Sequence, residues 1–148
     1  MDKSEVFEWR GFVDFHDLDV WKAGMEITKD IYKVTEKFPK SELFGLTSQM
    51  RRAAVSIPSN IAEGNGRYYR KEYLQFLHIS QGSLLELMTQ IELSKELGFL
   101  QQNDFFRLYN KAVSLNKMLK SLIRGLRKTR VERDEDGEKR DEGGKKRG

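Results

Sequence analysis

Four segments of the chain repeat apolar residues at helical spacing, and this pattern constrains the fold more than any other feature. The last segment has a strict 4-3-4-3-4 spacing of leucine and alanine, over Leu108, Ala112, Leu115, Leu119, Leu122 and Leu126. Seams of the same kind predict helices over about 17–38, 41–64, 70–97 and 103–129. Short connections make successive helices antiparallel, so the sequence predicts an all-α, up-down-up-down four-helix bundle.

Residues that start or stop helices lie between these segments. Pro39 disfavours helix in the residue before it and so limits the first helix. Ser41 and Asn103 are predicted N-caps of the second and fourth helices. Gly64 with Gly66, and then Gly98, are predicted to end the second and third helices in the left-handed conformation.

Composition sets the domain boundaries. The 148 residues fit one domain, which we divide into an irregular N-terminal arm (1–16), a bundle domain (17–130) and a disordered charged tail (131–148). Of 27 basic and 23 acidic residues, 6 and 7 lie from Val131 onward, which leaves the preceding residues with a net charge of +5. A positive balance permits an anionic partner.

Several classes of protein are made improbable by what the sequence lacks. The absence of cysteine excludes disulfides and thiolate chemistry and agrees with a cytoplasmic location. There is no run of about 18 apolar residues, so no membrane span is expected. His16 and His78 occur in no metal-binding or catalytic motif, and His78 is interpreted as a helix-packing residue. We expect no cofactor, no metal and no enzymatic activity.

The first and third segments carry more apolar surface than one buried stripe requires. Surplus apolar surface usually marks a protein–protein interface, so the sequence predicts a homo-oligomer, a closed ring or a dimer. A deep monomeric core is the alternative explanation. The predicted interface residues are Val20, Trp21, Ile27, Ile31, Phe76 and Ile79.

The run from Gln49 to Arg67 breaks several local rules of helix formation. Pro58 lies in mid-helix, where a kink is expected. Gln49, Ser56, Asn60 and Glu63 share one flank, with Arg52 as a predicted charge partner of Glu63. This flank is either a ligand or nucleic-acid site or a hydrogen-bonding network that fixes packing, and the second interpretation is favoured.

Basic residues form three groups that are candidates for binding nucleic acid. The paired Arg51 and Arg52 lie within the second helix, and a corner where arginines and lysine alternate with tyrosines follows it. A third group lies on the back of the fourth helix, where few acidic residues intervene. Such groups suit phosphate contacts and base stacking. Tyrosines beside arginines are also ordinary at helix starts, however, and a basic stripe on a helix is more commonly a solvated face. The corner comprises Arg67, Tyr68, Tyr69, Arg70 and Lys71, and the helix-four arc comprises Lys117, Lys120, Arg124, Arg127 and Lys128.

Long motifs in the chain resemble one bacterial family. DLDVWKAG (17–24), IYKVTEKFPKSELFGLTSQMRRAAVSIPSNIAEGNGR (31–67), FLHISQGSLLEL (76–87) and LGFL (97–100) are similar to the four-helix bundle proteins encoded in intervening sequences of large-subunit ribosomal RNA genes, often labelled ribosomal-protein-like. The matching signature includes Gln49, Arg51, Arg52, Ser56, Pro58, Asn60, Glu63, Gly64, Gly66 and Arg67. Met88, where the family often has glutamate, and the pair Tyr68–Tyr69 depart from it.

The resemblance implies an assembly and a biological context. It implies a homopentamer, and it extends to an accessory protein of diversity-generating retroelements that works with a reverse transcriptase and nucleic acid. We therefore expect a non-enzymatic oligomer that binds RNA or a ribonucleoprotein. The alternative is a protein-interaction scaffold, or an accessory subunit of a nucleic-acid enzyme, that does not itself contact nucleic acid.

Overall fold

Four helices make up the fold, and no strand occurs within residues 14–144. The structure, a computed structural model, describes the backbone of residues 14–144 and the side chains of residues 14–128. The helices are α1 (Asp19–Thr35), α2 (Leu46–Asn65), α3 (Arg70–Glu96) and α4 (Gln102–Gly144), with short 3-10 turns at Phe15–Asp17 and Lys40–Glu42. The predicted all-α bundle is confirmed. Residues 1–13 of the predicted arm lie outside the described residues, whereas Phe15–Asp17 is a regular turn capped by Asp14.

The helices pack in a ring in which each contacts two neighbours: α1 with α2, α2 with α3, α3 with α4, and α4 with α1. Contacts such as Ser80 Oγ to the Ile57 carbonyl and Ser94 Oγ to Met50 Sδ show that α2 and α3 are antiparallel. The predicted seams form the core between them. Its fully buried side chains include Ile27, Ile31, Met50, Ile57, Ile61, Leu77, Leu84, Leu87, Ile91, Leu108, Leu115 and Leu119.

The connection between α1 and α2 differs from the prediction. The segment before Pro39 tightens into turns, with Phe38 N–H donating to the Thr35 carbonyl, so α1 ends at Thr35. Ser41 does not cap α2. The helix begins after Gly45, and Glu42 Oε2 accepts from Leu46 N–H at 3.0 Å. Leu43, which falls at a seam position of the predicted second helix, lies in the connection before α2 and is exposed.

The glycine assignments are half correct. Gly98 has a φ of 78° and ends α3 as predicted, whereas Gly66 is right-handed with a φ of −81°. Gly64 lies within α2, where an added Cβ would be 2.6 Å from Phe76 Cβ. Gly64 therefore serves close packing of α2 on α3, and the predicted left-handed stop at Gly64 and Gly66 is wrong.

The fourth helix is longer than predicted at both ends. It starts at Gln102, so Asn103 lies inside the helix and is not its cap. It continues past Thr129 to Gly144, where the sequence predicted a disordered tail. Half of residues 131–144 are glutamate, arginine or lysine, which have favourable helix propensities. Residues 145–148 lie outside the described residues.

Pro58 is accommodated by a hydrogen bond from α1. Because proline has no N–H, it cannot donate to the carbonyl of Ala54, which is fully buried. Thr28 Oγ1 of α1 donates to that carbonyl at 3.0 Å. Gly24, one turn earlier, brings α1 close to the proline, since a Cβ there would be 3.4 Å from Pro58 Cβ. The helix thus continues through the proline, and α1 supplies the donor that α2 lacks.

Candidate nucleic-acid interface

The outward face of α4 carries exposed cations. Within residues 14–128, none of the five predicted basic residues of α4 lies within ion-pair distance of a carboxylate. Arg127 Nη2 lies 2.9 Å from Nε2 of His78 on α3. Because a guanidinium only donates, Nε2 is the acceptor in this contact. His78 is therefore an exposed residue that links α3 to α4 through Arg127, and it is not buried in the helix packing.

The tyrosine corner lies at the same end of the bundle. Tyr68 is 80% exposed, and its ring meets that of Tyr69 edge-on at 5.1 Å. Arg67 is less available, because it pairs with Glu63 at 2.9 Å and lies over the Phe76 ring. Lys71 is exposed. Arg70 is partly buried at the start of α3.

The corner and most of the α4 arc belong to one surface. Lys71 precedes His78 by seven residues on α3 and so shares its face, and His78 touches Arg127. We call this surface, formed by Lys71, His78, Lys120, Arg124, Arg127 and Lys128, the α3–α4 basic face. Lys117 lies on the α1 side of α4, where it lines a groove with Leu18 and Asp19 at the start of that helix. The polar and cationic groups of the α3–α4 basic face can contact phosphates, and the neighbouring tyrosines can stack on bases.

Arg51 and Arg52 do not join that face. They lie on α2, diagonally across the bundle from α4. Arg51 lies beside the C-terminal end of α1, because its Nε donates to Thr35 Oγ1. The sequence grouped them with the other basic residues by charge alone. Their position relative to α4 follows only from the ring order of the helices.

The predicted polar flank is partly a packing network. Ser56 Oγ lies 2.8 Å from Ser83 Oγ of α3, which confirms a link between the helices. Asn60 instead donates to the carbonyl and hydroxyl of Ser56 on its own helix. Glu63 pairs with Arg67, and the predicted pairing with Arg52 is wrong because eleven residues of helix separate them by about 16 Å. Gln49 is exposed.

The predicted oligomer interface is largely corrected. Val20, Ile27 and Ile31 are buried inside the protomer and face its own core. Trp21 is half-buried against the rings of Phe15 and His16, and Phe76 is half-buried. Ile79 alone of the predicted set is largely exposed, at 51%. Leu85 and Leu93, which the sequence also places outside the core seam of α3, are exposed as well, although they were not included in the predicted interface.

The sequence also missed an ion-pair cluster between the first and last helices. Asp30 of α1 accepts from Lys111 Nζ at 2.6 Å and lies 3.4 Å from Arg107 Nη1. Opposite charges on adjoining helices were the available signal, but the pairing required the α1–α4 contact to be known. Among the described residues, no group of acidic or histidine side chains is arranged to hold a metal ion.

Two phenols are perturbed. A hydrogen bond to Glu92, together with its negative charge, raises the pKa of Tyr109. Burial raises the pKa of Tyr73, which lies near the start of α3. Both effects favour the neutral phenol, and neither residue belongs to the basic face.

Comparisons with known proteins place the chain in a family. No curated protein matches it. Residues 16–121 match the model of the family described as 23S rRNA-intervening sequence protein. The fold is similar to that of a crystal structure of a protein with unknown function from the S23 ribosomal protein family of Bacteroides thetaiotaomicron. The TM-score is 0.67 at 22% identity, over 71% of this chain and 95% of the other. No helix in the described part of the chain is long and apolar enough to span a bilayer. The family match covers most of the sequence, and the chain belongs to the 23S rRNA-intervening sequence protein family.

Proposed function

We propose that this protein is a non-enzymatic homo-oligomer, a pentamer by the family resemblance, that binds RNA or a ribonucleoprotein in the cytoplasm through its α3–α4 basic face. The observation that carries the proposal is the set of four exposed cations that α4 contributes to this face, none of which pairs with a carboxylate of residues 14–128. The family description, which refers to an intervening sequence of 23S rRNA, supports the choice of partner.

The lack of carboxylate partners for these cations within residues 14–128 favours a polyanionic ligand. A cation already in a salt bridge must lose that partner to contact a phosphate, whereas of the α4 cations only Arg127 has a partner to lose among those residues, the imidazole of His78. Their binding releases counterions from the nucleic acid, so affinity falls steeply as salt rises and depends weakly on sequence. A symmetric ring would repeat the face on each protomer and multiply the positive surface.

Fluorescence anisotropy with a labelled single-stranded RNA, measured at several salt concentrations, tests the proposal. The double variant Arg124→Gln/Arg127→Gln removes two cations and should reduce the slope of log K against log salt by about 1.4. The matched control is Lys33→Gln/Lys37→Gln, which removes two exposed cations of the α1 end and should leave binding unchanged. A flat salt dependence, or equal loss in both variants, would refute RNA binding by this face.

A protein-interaction scaffold is the second candidate, and exposed apolar side chains on α3 favour it. Ile79 and Leu93 lie on the outward side of α3, and Leu85 lies nearby toward α4. Outward apolar residues suit a contact with another copy or with a different protein. Under this hypothesis Arg124→Gln/Arg127→Gln leaves partner capture intact, whereas Ile79→Glu/Leu93→Glu abolishes it.

The same apolar pair provides a test of the oligomer. Light scattering of the wild type should give a mass several times 17.3 kDa, and about five times if the ring is a pentamer. The variant Ile79→Glu/Leu93→Glu should lower that mass, and the exposed control Leu97→Glu should not. A monomeric wild type would refute the oligomer.

A further inference from the structure

A groove between α1 and α2 lies apart from the basic face and combines charge with aromatic surface. It has a volume of about 530 Å³, and its walls include Tyr32 of α1, Phe44 of the connection, and Thr47, Arg51 and Arg52 of α2. The function proposed above uses none of these side chains. The groove opens to solvent beside the first turns of α2.

Two guanidinium groups line the groove. Arg51 is held in place, because its Nε donates to Thr35 Oγ1 and its Cζ lies 4.7 Å from the centre of the Tyr32 ring. Its Nη groups make no other hydrogen bond within residues 14–128. Arg52 is exposed and has no ion-pair partner among those residues. The Arg51 guanidinium is held in one orientation and the Arg52 side chain lies beside it, so together they suit binding of a carboxylate or phosphate group.

The start of α2 adds positive potential at the same place. Its first turn contains no acidic residue. Glu42 accepts from Leu46 N–H, but the N–H groups of Thr47 and Ser48 have no acceptor in the described part of the chain. Free N–H groups and the helix dipole make such an end favourable for anions. The two arginines and Glu42 together carry a net charge of +1 around the opening.

Thr47 provides an independent sign of a missing partner. The residue is only 3% exposed, and its Oγ1 is buried without a hydrogen bond. A buried hydroxyl without a partner is costly, and in native proteins such a group usually has one. Thr47 lies in the wall of the groove with its Oγ1 beneath the surface, so a ligand oxygen can accept from it only by displacing the atoms that cover it.

The remaining wall is aromatic. Phe44 is 94% exposed, the most exposed large apolar side chain of the described residues, and Tyr32 carries the Arg51 guanidinium on its face. A planar aromatic ligand can stack on Phe44 while its anionic group lies against the arginines. From this combination we propose that the α1–α2 groove binds a nucleotide, with the phosphate on Arg51, Arg52 and the start of α2 and the base on Phe44.

A second copy of the chain fits the groove less well. A twofold contact through it would bring Arg51 and Arg52 of one copy toward the same arginines of the other. None of the residues that line the groove is acidic, so the lining itself does not offset this repulsion. A nucleotide supplies both the missing charge and the missing aromatic face.

Isothermal titration calorimetry at low salt tests the site with four probes: AMP, adenosine, inorganic phosphate and the pentanucleotide rA5. AMP should bind once per chain and more tightly than adenosine or phosphate alone. If rA5 binds about tenfold more tightly than AMP, the natural source is an RNA strand; equal affinities indicate a free nucleotide. Either result supports the site.

Matched variants locate the binding. Phe44→Ala should lower the affinity for AMP by at least about fivefold, and Arg52→Gln should lower it by about tenfold. The exposed controls Phe106→Ala and Lys33→Gln should leave the affinity for AMP unchanged. Thr47→Val should lower the affinity for AMP. It should not lower the melting temperature, because the hydroxyl that it removes has no partner in the protein. A purely structural role for Thr47 would not give that combination.

Three outcomes would overturn the proposal. One is no heat with millimolar AMP or rA5. Another is an adventitious anion only, with phosphate binding as tightly as AMP and Phe44→Ala without effect. The third is a lower mass of Phe44→Ala in light scattering, which would make the groove an interface between copies. Arg124→Gln/Arg127→Gln should retain AMP binding, so this test is separate from that of the basic face.

Discussion

Replacing Thr28 with valine removes the hydroxyl that satisfies the Ala54 carbonyl at the proline of α2. Valine keeps the shape of threonine, and the Gly24 carbonyl that Thr28 also contacts retains its place in the α1 hydrogen-bond ladder. The Ala54 carbonyl has no such alternative, because the residue four positions later is Pro58. The substitution therefore leaves one fully buried acceptor without a donor.

The expected cost follows from that burial. An unsatisfied buried carbonyl lowers the free energy of unfolding by about 1–3 kcal/mol. Replacing Pro58 with alanine restores an N–H that can donate to Ala54, so Thr28→Val should cost less than about 0.5 kcal/mol in that background. The coupling between the two sites, the difference between these costs, is then about 0.5–3 kcal/mol.

Urea unfolding followed by circular dichroism measures this coupling in the wild type, the two single variants and the double variant. All four are compared at one protein concentration, because association contributes to apparent stability. In thermal unfolding, 1 kcal/mol corresponds to about 2–4 °C for a chain of this size. Equal costs of Thr28→Val in both backgrounds would refute the idea that α1 supplies the donor missing from α2.

Three other substitutions or titrations give direct readouts. Gly64→Ala should lower the free energy of unfolding by about 1–3 kcal/mol, because the added Cβ meets α3. Gly82→Ala, where the added Cβ meets open space, should raise the free energy of unfolding by about 0.5–1 kcal/mol. Urea unfolding of both variants measures the difference. Asp30→Asn should cost about 1 kcal/mol, and less in 1 M salt, because it removes two partly shielded ion pairs between α1 and α4; unfolding at both salt concentrations checks this, and a salt-independent loss would contradict it. Burial raises the pKa of Tyr73, so above pH 10 the unfolded chain ionises this phenol first and stability falls as pH rises; Tyr73→Phe should flatten the stability profile there, and an unchanged slope would argue against burial as the cause.

The core could be predicted because the 3–4 residue spacing of apolar side chains indicates both that a segment is helical and which of its residues are buried. Leu84 and Leu115 lie at the centres of their stripes and are buried as expected. The exposed arc of α4 follows from the same geometry. A helical wheel gives directions and no neighbours, however, so it could not show that Ile27 and Ile31 face the protomer's own core. Nor could it place Arg52 on the side of the bundle away from α4.

Glycine illustrates a second limit of the sequence. A pair of glycines near a helix end is typical of a left-handed cap, and at Gly98 that interpretation is correct. At Gly64 the residue is required by the close approach of Phe76 from another helix. The letter is the same in both cases, and only tertiary packing distinguishes them.

The contact of α1 with α4 also sets an order of events during synthesis. Since α4 is made last, the α4-facing sides of α1 and α3 stay bare while residues 102–126 are added, a period of about 1–5 s at cellular rates of translation. Asp30 cannot form its ion pair with Lys111 until that residue, 81 positions later in the chain, has been synthesised. We therefore expect the nascent protein to expose the apolar sides of its first three helices until α4 packs on them, and chaperones or neighbouring nascent chains can bind it during that interval.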